Sequence, residues 1–246
     1  MTLMVFFGCA LIAFGPACAM FSITVAGDAQ QVIVFITSAF FWLISLLISS
    51  IWWLVVSPLK EQIAFGMTFS VLFQELFRLA YYFLLRKADE GLVSMINNQS
   101  PLRKHRIAYV AGLGYGTMSG LFSMVNVLAD ITGPGSMGLR GDPQNFLIVS
   151  AFLTSCFVLL NTFWGVILFE SFDKKKRWLN LGIVVFSHLF VSLMTLLNAS
   201  GNYIATLLSA YLVMIVMGVI AFNSAGGSFF NIYRLIMNKK SHLDNE

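Results

Sequence analysis

Several side chains that can carry charge or form strong hydrogen bonds lie inside long apolar stretches of this sequence. They are Gln74, Glu75, Arg78, Asn126, Asn161 and His188. Glu75 and Arg78 are three residues apart, so on a helix they share one face and can pair. An unpaired charge at membrane depth costs about 2.5–3.5 kcal/mol even on a lenient insertion scale. The spacing therefore favours an internal structural ion pair, facing protein or a water-filled cavity, over a proton-handling role.

His188 lies midway along an apolar stretch, where an imidazole is costly to bury without a hydrogen-bonding partner. We expect it to be a packing residue that bonds to a group on another helix. Asn161 is one candidate partner, but spacing alone does not decide the pairing. Asn126 lies toward the end of its own apolar stretch.

The sequence contains few of the residue patterns that intramembrane enzymes use for catalysis. The sequence has no HExxH zinc motif and no pair of aspartates within apolar stretches, and its three cysteines lack metal-binding spacing. We therefore predict no metal, no cofactor and no catalytic residue. The alternative is a stand-alone rhomboid-like serine protease with a Ser119–His188 dyad. The nucleophile motif of that class is GxSG, whereas this chain reads Thr117-Met118-Ser119-Gly120, so packing is the favoured role of Ser119.

Three glycines, Gly112, Gly116 and Gly120, recur every four residues and form two overlapping GxxxG motifs. On a helix they make a groove along one face, where a neighbouring backbone can approach closely. Gly114 is expected to widen that smooth face. The spacing indicates tight helix packing, but it leaves open whether the neighbour belongs to this chain or to another.

The composition indicates that a membrane surrounds these residues. Of 246 residues, 58% are hydrophobic and only 11% are charged, and the mean hydropathy is +0.82. A soluble domain has about 25% charged residues to cover its surface. We therefore predict one integral-membrane domain over 1–246, in contact with lipid. The net charge of +4 does not argue for a nucleic-acid partner.

Seven stretches have the roughly 20 mainly apolar residues that a helix needs to cross about 30 Å of hydrocarbon. They cover approximately 3–26, 32–56, 63–85, 107–129, 147–169, 178–197 and 204–222. Turn residues or charges separate them. The sequence therefore predicts an all-α, polytopic bundle of seven transmembrane helices. No Lys or Arg precedes Lys60, so the first stretch is expected to be a retained helix and not a signal peptide.

The basic residues predict the orientation, because Lys and Arg flanking membrane spans are retained in the cytosol. Segments 86–106, 174–177 and 234–240 together hold twelve of the 15 Lys and Arg residues. With seven spans, all three segments lie on one side of the membrane. The N-terminus is then exoplasmic and the C-terminus cytosolic.

Several ordered strings resemble the anterior pharynx-defective (Aph) subunit of γ-secretase. The resemblance runs from near the N-terminus to about residue 228. It is carried by the tandem glycines and by Phe40-Phe41-Trp42-Leu43, Gln74-Glu75 through Arg78-Leu79-Ala80-Tyr81-Tyr82, Lys87-Ala88-Asp89-Glu90-Gly91-Leu92, Ala108-Tyr109-Val110, Gly133-Pro134-Gly135, Gly141-Asp142, Ser150-Ala151-Phe152-Leu153-Thr154, Phe163-Trp164-Gly165 and Ala225-Gly226-Gly227-Ser228.

The resemblance implies a seven-helix, non-catalytic scaffold that assembles with nicastrin, presenilin and the presenilin-enhancer subunit. In that complex presenilin holds the catalytic aspartates, and the substrates are single-span proteins such as Notch and amyloid-precursor types. The expected locations are the endoplasmic reticulum, Golgi, endosomal and plasma membranes. The family's tandem glycines are implicated in assembly.

The resemblance also implies two intramembrane histidines, of which this chain has one. His188 matches the second, whereas Asn161 stands at the position of the first. Asparagine donates and accepts hydrogen bonds but does not titrate in the physiological range. A mechanism that needs two ionisable imidazoles is therefore in doubt for this chain.

Overall fold

A computed structural model describes residues 3–56, 62–95, 104–132, 144–174 and 177–228. All regular structure within these ranges is helical. Seven α-helices follow one another, with a 3₁₀ helix at Thr195–Ser200 after the sixth. They are α1 (Leu3–Thr24), α2 (Ala29–Val55), α3 (Ile63–Met95), α4 (Lys104–Thr132), α5 (Gln144–Asp173), α6 (Arg177–Met194) and α7 (Tyr203–Ser224).

Each predicted stretch coincides with one helix, and the largest difference is at the end of α3. The stretch was expected to end near residue 85, but the helix continues to Met95. Charged residues such as Arg86 and Lys87 mark the edge of an apolar span without breaking a helix, since both are good helix formers. The basic segment 234–240 and the motifs at 133–135 and 141–142 lie outside the described residues.

Six of the described helices are long and apolar enough to cross a membrane, and α4 is not among them. Its composition explains this, because glycine, tyrosine, serine and threonine replace bulky aliphatic residues along much of its length. Those residue types suit a helix that is enclosed by protein, and Ala108, Val110 and Leu113 are indeed fully or almost fully buried. The described chain is therefore all-helical with six candidate spans.

Helix α5 is the central element of the bundle. It packs against α1, α4, α6 and α7, and more slightly against α3. Of its most apolar 18 residues, 61% are buried, compared with 17–28% in the other five candidate spans. Helix α4 contacts α1 and α2 as well as α5, whereas α3 lies between α2 and α6.

Two of the described connections between helices are short and use specific turn chemistry. The carboxylate of Asp28 caps α2 by accepting a hydrogen bond from the backbone N–H of Gln30 at 2.9 Å. Before α7, Gly201 has φ +79°, a left-handed conformation that favours glycine. The turn at Gly201 connects α6 to α7, and these two helices pack against each other.

The glycine groove of α4 lies against α5 of the same chain. A Cβ atom added to Gly112 would lie 2.7 Å from the backbone oxygen of Thr162, and one added to Gly116 would lie 2.6 Å from that of Val158. A Cβ on Gly120 would lie 2.7 Å from a methyl group of Val158. Since real side-chain carbons do not approach so closely, only glycine permits this spacing of α4 and α5.

The expectation that Gly114 widens the same groove was wrong. A Cβ on Gly114 would overlap the backbone oxygen of Phe35 and the hydroxyl of Ser38, both on α2. Two residues turn a helix by about 200°, so Gly114 lies opposite Gly112 and Gly116. Helix α4 therefore has close backbone contacts on two sides, with α5 and with α2.

We predict that Gly116→Ala lowers the free energy of unfolding by about 1–3 kcal/mol, because the added methyl must displace α5 backbone. Gly182 is the matched control, since it is an exposed helical glycine with no heavy atom within 4 Å of a built Cβ. Gly182→Ala should change stability by less than about 1 kcal/mol. Unfolding of the purified chain in mixed detergent micelles measures both. Equal effects of the two substitutions would contradict the close packing.

Candidate functional site

A buried ion pair on α3 is the centre of the candidate site. Glu75 and Arg78 are 3% and 2% exposed, and Arg78 Nη2 lies 3.4 Å from Glu75 Oε1. The two residues are one helical turn apart, as their spacing requires. The pair is electrically neutral overall, which reduces the cost of burying each charge.

His188, on α6, binds the acidic end of this pair. Its Nδ1 lies 2.7 Å from Glu75 Oε1, and both side chains are buried. The imidazole stacks on the indole of Trp164 on α5, with ring centroids 4.2 Å apart and planes 24° apart. The indole N–H of Trp164 in turn donates to Ser187 Oγ at 2.9 Å. Helix α6 is thereby joined to both α3 and α5 through polar contacts.

Asn161, on α5, binds the basic end of the pair. Its Oδ1 accepts a hydrogen bond from Arg78 Nη2, and its backbone oxygen lies 3.4 Å from Arg78 Nη1. Its own amide donates to the backbone oxygen of Phe157 at 2.9 Å. In the described contacts, Asn161 binds the basic end of the Glu75–Arg78 pair and His188 binds the acidic end. The ion pair therefore links Asn161 to His188.

Aromatic side chains that the sequence analysis did not single out enclose the guanidinium. Arg78 Cζ lies 4.7 Å from the ring centre of Tyr115 and 5.7 Å from that of Trp164, so both rings contribute cation–π attraction. The Tyr115 hydroxyl donates to the backbone oxygen of Gln74 at 2.5 Å. A tyrosine within the glycine run of α4 was the available signal, because a large polar ring there needs a partner on a neighbouring helix.

The remaining two predicted residues lie apart from the ion pair. Gln74 accepts a hydrogen bond from the indole of Trp42 at 3.2 Å and donates to Ser70 at 3.3 Å, so it ties α3 to α2. Asn126 is exposed on the second half of α4. The network thus unites Glu75, Arg78, Asn161 and His188, with Gln74 beside it and Asn126 outside.

A cavity of about 690 Å³ borders the network. Gln74 and His188 line it, together with small hydroxyl side chains that include Ser119, Ser123 and Ser192. Glu75 Oε2 and Arg78 Nε are buried without a protein partner. A cavity of this size, whose lining includes several hydroxyl groups, has room for water.

The arrangement is suited to holding helices together and unsuited to nucleophilic catalysis. A serine protease needs a hydroxyl hydrogen-bonded to the imidazole that activates it. A carboxylate on His188 Nδ1 is compatible with a triad, but among the described residues no hydrogen bond joins Ser119 to His188. Ser119 is a half-buried residue of the cavity wall. The geometry therefore does not support the rhomboid-like alternative.

A second set of charged contacts lies at the other end of α5. Asp173 accepts hydrogen bonds from Tyr82, at 2.8 Å, and from Arg86, both on α3. Glu170, 3% exposed, binds His105 at the start of α4 and Lys174 at 3.2 Å. These contacts were absent from the sequence analysis, because charged residues near a span end usually bind water. They fix the end of α5 to α3 and α4.

Comparison with known proteins shows extensive similarity. A family model described as Aph-1 protein matches residues 4–228. A Drosophila melanogaster protein named gamma-secretase subunit Aph-1 is 52% identical over 229 residues, which cover 93% of this chain and 95% of the relative. Gamma-secretase subunit APH-1B of Mus musculus is 47% identical over 93% of this chain and 91% of the relative. An Arabidopsis thaliana protein named gamma-secretase subunit APH1-like is 30% identical over 80% and 83%.

We predict that Glu75→Gln lowers the free energy of unfolding by about 3–5 kcal/mol, because it leaves the Arg78 charge buried without a counter-charge. Arg78→Gln should lower the free energy of unfolding by a similar amount. The double substitution should lower the free energy of unfolding by less than the sum of the two single losses, because it leaves neither charge buried without its partner. Unfolding in mixed micelles measures all three, with Glu90→Gln, at an exposed position of α3, as the control. Strictly additive losses would show that the two charges are not coupled.

Proposed function

The chain belongs to the Aph-1 family, and we propose that it is the non-catalytic scaffold and assembly subunit of the γ-secretase complex. The observation that carries this proposal is 52% identity over 93% of this chain to a relative named as a subunit of that complex. The relatives are named as subunits under the Aph-1 name, a component of the complex distinct from its catalytic subunit.

The buried polar residues support a scaffold role. Glu75, Arg78, Asn161 and His188 bind one another across α3, α5 and α6, so their hydrogen-bonding capacity is used to join helices. The tandem glycines act in the same way between α4 and α5. These contacts hold the subunit in one shape, which an assembly partner can recognise.

The proposed partners are presenilin, nicastrin and the presenilin-enhancer subunit. Presenilin supplies the catalytic aspartates, and the assembled complex cleaves single-span proteins such as Notch and amyloid-precursor types. Large apolar side chains on the outer faces of the bundle leave room for lipid and partner helices. Examples include Phe7 and Leu11 on α1, Phe186 on α6, and Leu208, Leu212 and Ile215 on α7.

The proposed topology has seven spans, with α4 as the fourth, an exoplasmic N-terminus and a cytosolic C-terminus. The 29 residues of α4 correspond to a helix about 43 Å long, which exceeds the thickness of the hydrocarbon core. Burial between α2 and α5 supports its presence in the membrane despite its lower hydropathy. The proposed locations are the endoplasmic reticulum, Golgi, endosomal and plasma membranes.

Affinity purification of the tagged chain in a mild detergent tests the assembly role. We expect presenilin, nicastrin and the presenilin-enhancer subunit to co-purify with the wild-type chain. Gly116→Leu should lose them, because separating α4 from α5 distorts the subunit itself. Gly182→Leu and Ser119→Ala are the controls and should retain the partners. Recovery of the whole complex with Gly116→Leu would contradict this role for the groove.

Glycosylation reporters test the topology. A reporter sequon on a spacer fused to the N-terminus should be glycosylated, because that end is proposed to be exoplasmic. The same reporter fused to the C-terminus should remain unmodified in the cytosol. A shift in gel mobility that glycosidase reverses provides the measurement. Modification at both ends or at neither would mean an even number of spans.

A further inference from the structure

A recess of about 670 Å³ lies between the α1–α2 connection and the first turns of α4. It lies at helix ends, so in the proposed topology it faces the cytosolic surface of the membrane. A hydrogen bond of 3.1 Å between the hydroxyls of Thr24 and Tyr109 joins α1 to α4 beside the recess. The recess is separate from the cavity beside His188 and shares no lining residue with it.

An unpartnered acceptor lines this recess. Gln31 is 3% exposed, and its Nε2 donates to Asp28 Oδ2 at 2.9 Å. Because a carboxylate only accepts hydrogen bonds, the amide nitrogen of Gln31 must face Asp28, and the amide oxygen takes no part in this bond. That oxygen is buried and has no protein partner. Leaving a buried acceptor unsatisfied is costly, so a ligand with N–H or O–H donors suits this position.

Opposite charges line the same recess. Asp28 is on one side, and Arg106, whose charge acts on Asp28, is on the other. The hydrogen bond from Gln31 lowers the pKa of Asp28 below its ordinary value, and Arg106 lowers it further, so the carboxylate is ionised at neutral pH. His105 also lines the recess, but its Nδ1 is engaged by Glu170. Among the described residues that line the recess, Arg106 is therefore the cation that can meet a ligand.

We propose that the recess binds the headgroup of phosphatidylethanolamine. The primary ammonium donates to the Asp28 carboxylate and to the free amide oxygen of Gln31, and the phosphate lies toward Arg106. This proposal rests on the membrane placement proposed above but not on membership of any complex.

Other common headgroups fit the same groups less well. The choline group has no N–H to donate to Gln31. Serine and inositol lipids carry a net negative charge, which brings repulsion from Asp28. Ile23 is 82% exposed beside the recess, and an apolar side chain there suits contact with acyl chains. The chemistry therefore selects a zwitterionic lipid with a primary amine.

Native mass spectrometry of the full chain with dioleoyl lipids tests the proposal. The wild-type chain should bind phosphatidylethanolamine about tenfold more tightly than phosphatidylcholine, as expected for one added charge-assisted hydrogen bond. Asp28→Asn, which keeps the helix cap, and Gln31→Met should each reduce that preference to within about twofold. Arg106→Gln should weaken the binding of both lipids alike, because both carry the phosphate. Lys87→Gln, at an exposed site outside the recess, should preserve it. Equal affinity of the wild-type chain for the two lipids would overturn the proposal.

Photo-crosslinking of the wild-type chain tests the proposal even if a variant fails to fold. A diazirine-bearing phosphatidylethanolamine should label peptides from the α1–α2 connection and the start of α4 in the wild-type chain. Labelling confined to other surfaces would overturn the assignment. Glycerophosphoethanolamine, which lacks acyl chains, should not compete at equal concentration. Effective competition by it would identify a soluble ligand and reject the lipid.

Discussion

The close approach of α4 and α5 is the constraint on which the rest of this structure depends. A Cβ on Gly112 or Gly116 would lie within 3.1 Å of Asn161 as well as of other α5 atoms, so the glycine contact also determines where Asn161 lies. Asn161 then meets Arg78, and Tyr115, from the same turn of α4, covers the guanidinium. A bulkier residue in the groove would therefore disturb both the apolar packing and the polar network.

The polar network lowers the cost of burying charge, because each charged side chain has partners on more than one helix. Glu75 is bound by Arg78 and His188, and Arg78 by Glu75 and Asn161, so no charge depends on one contact. An imidazole at position 161 could accept from Arg78 only when neutral, whereas the Asn161 amide oxygen accepts at every physiological pH. In this chain the bond to α5 is therefore independent of protonation at that position.

Helix α5 is held in two layers of different chemistry. Within the apolar region it contacts α4 through glycines and α3 through Arg78, and at its end Glu170 and Asp173 bind residues of α3 and α4. The two layers lie at different depths, so together they resist both separation and tilting of α5. Such rigidity suits a subunit of the Aph-1 family, which is proposed to present fixed surfaces to other membrane proteins.

Local patterns in the sequence determined much of this architecture. Apolar length located seven helices, three-residue spacing paired Glu75 with Arg78, and four-residue spacing aligned the glycines, because each depends only on the pitch of one helix. Only the tertiary structure decided which helices meet: α5 at the groove, α2 at Gly114, and His188 with Glu75. Helix pitch determines which residues share a face. The helix that packs against that face is determined by contacts between residues distant in the chain.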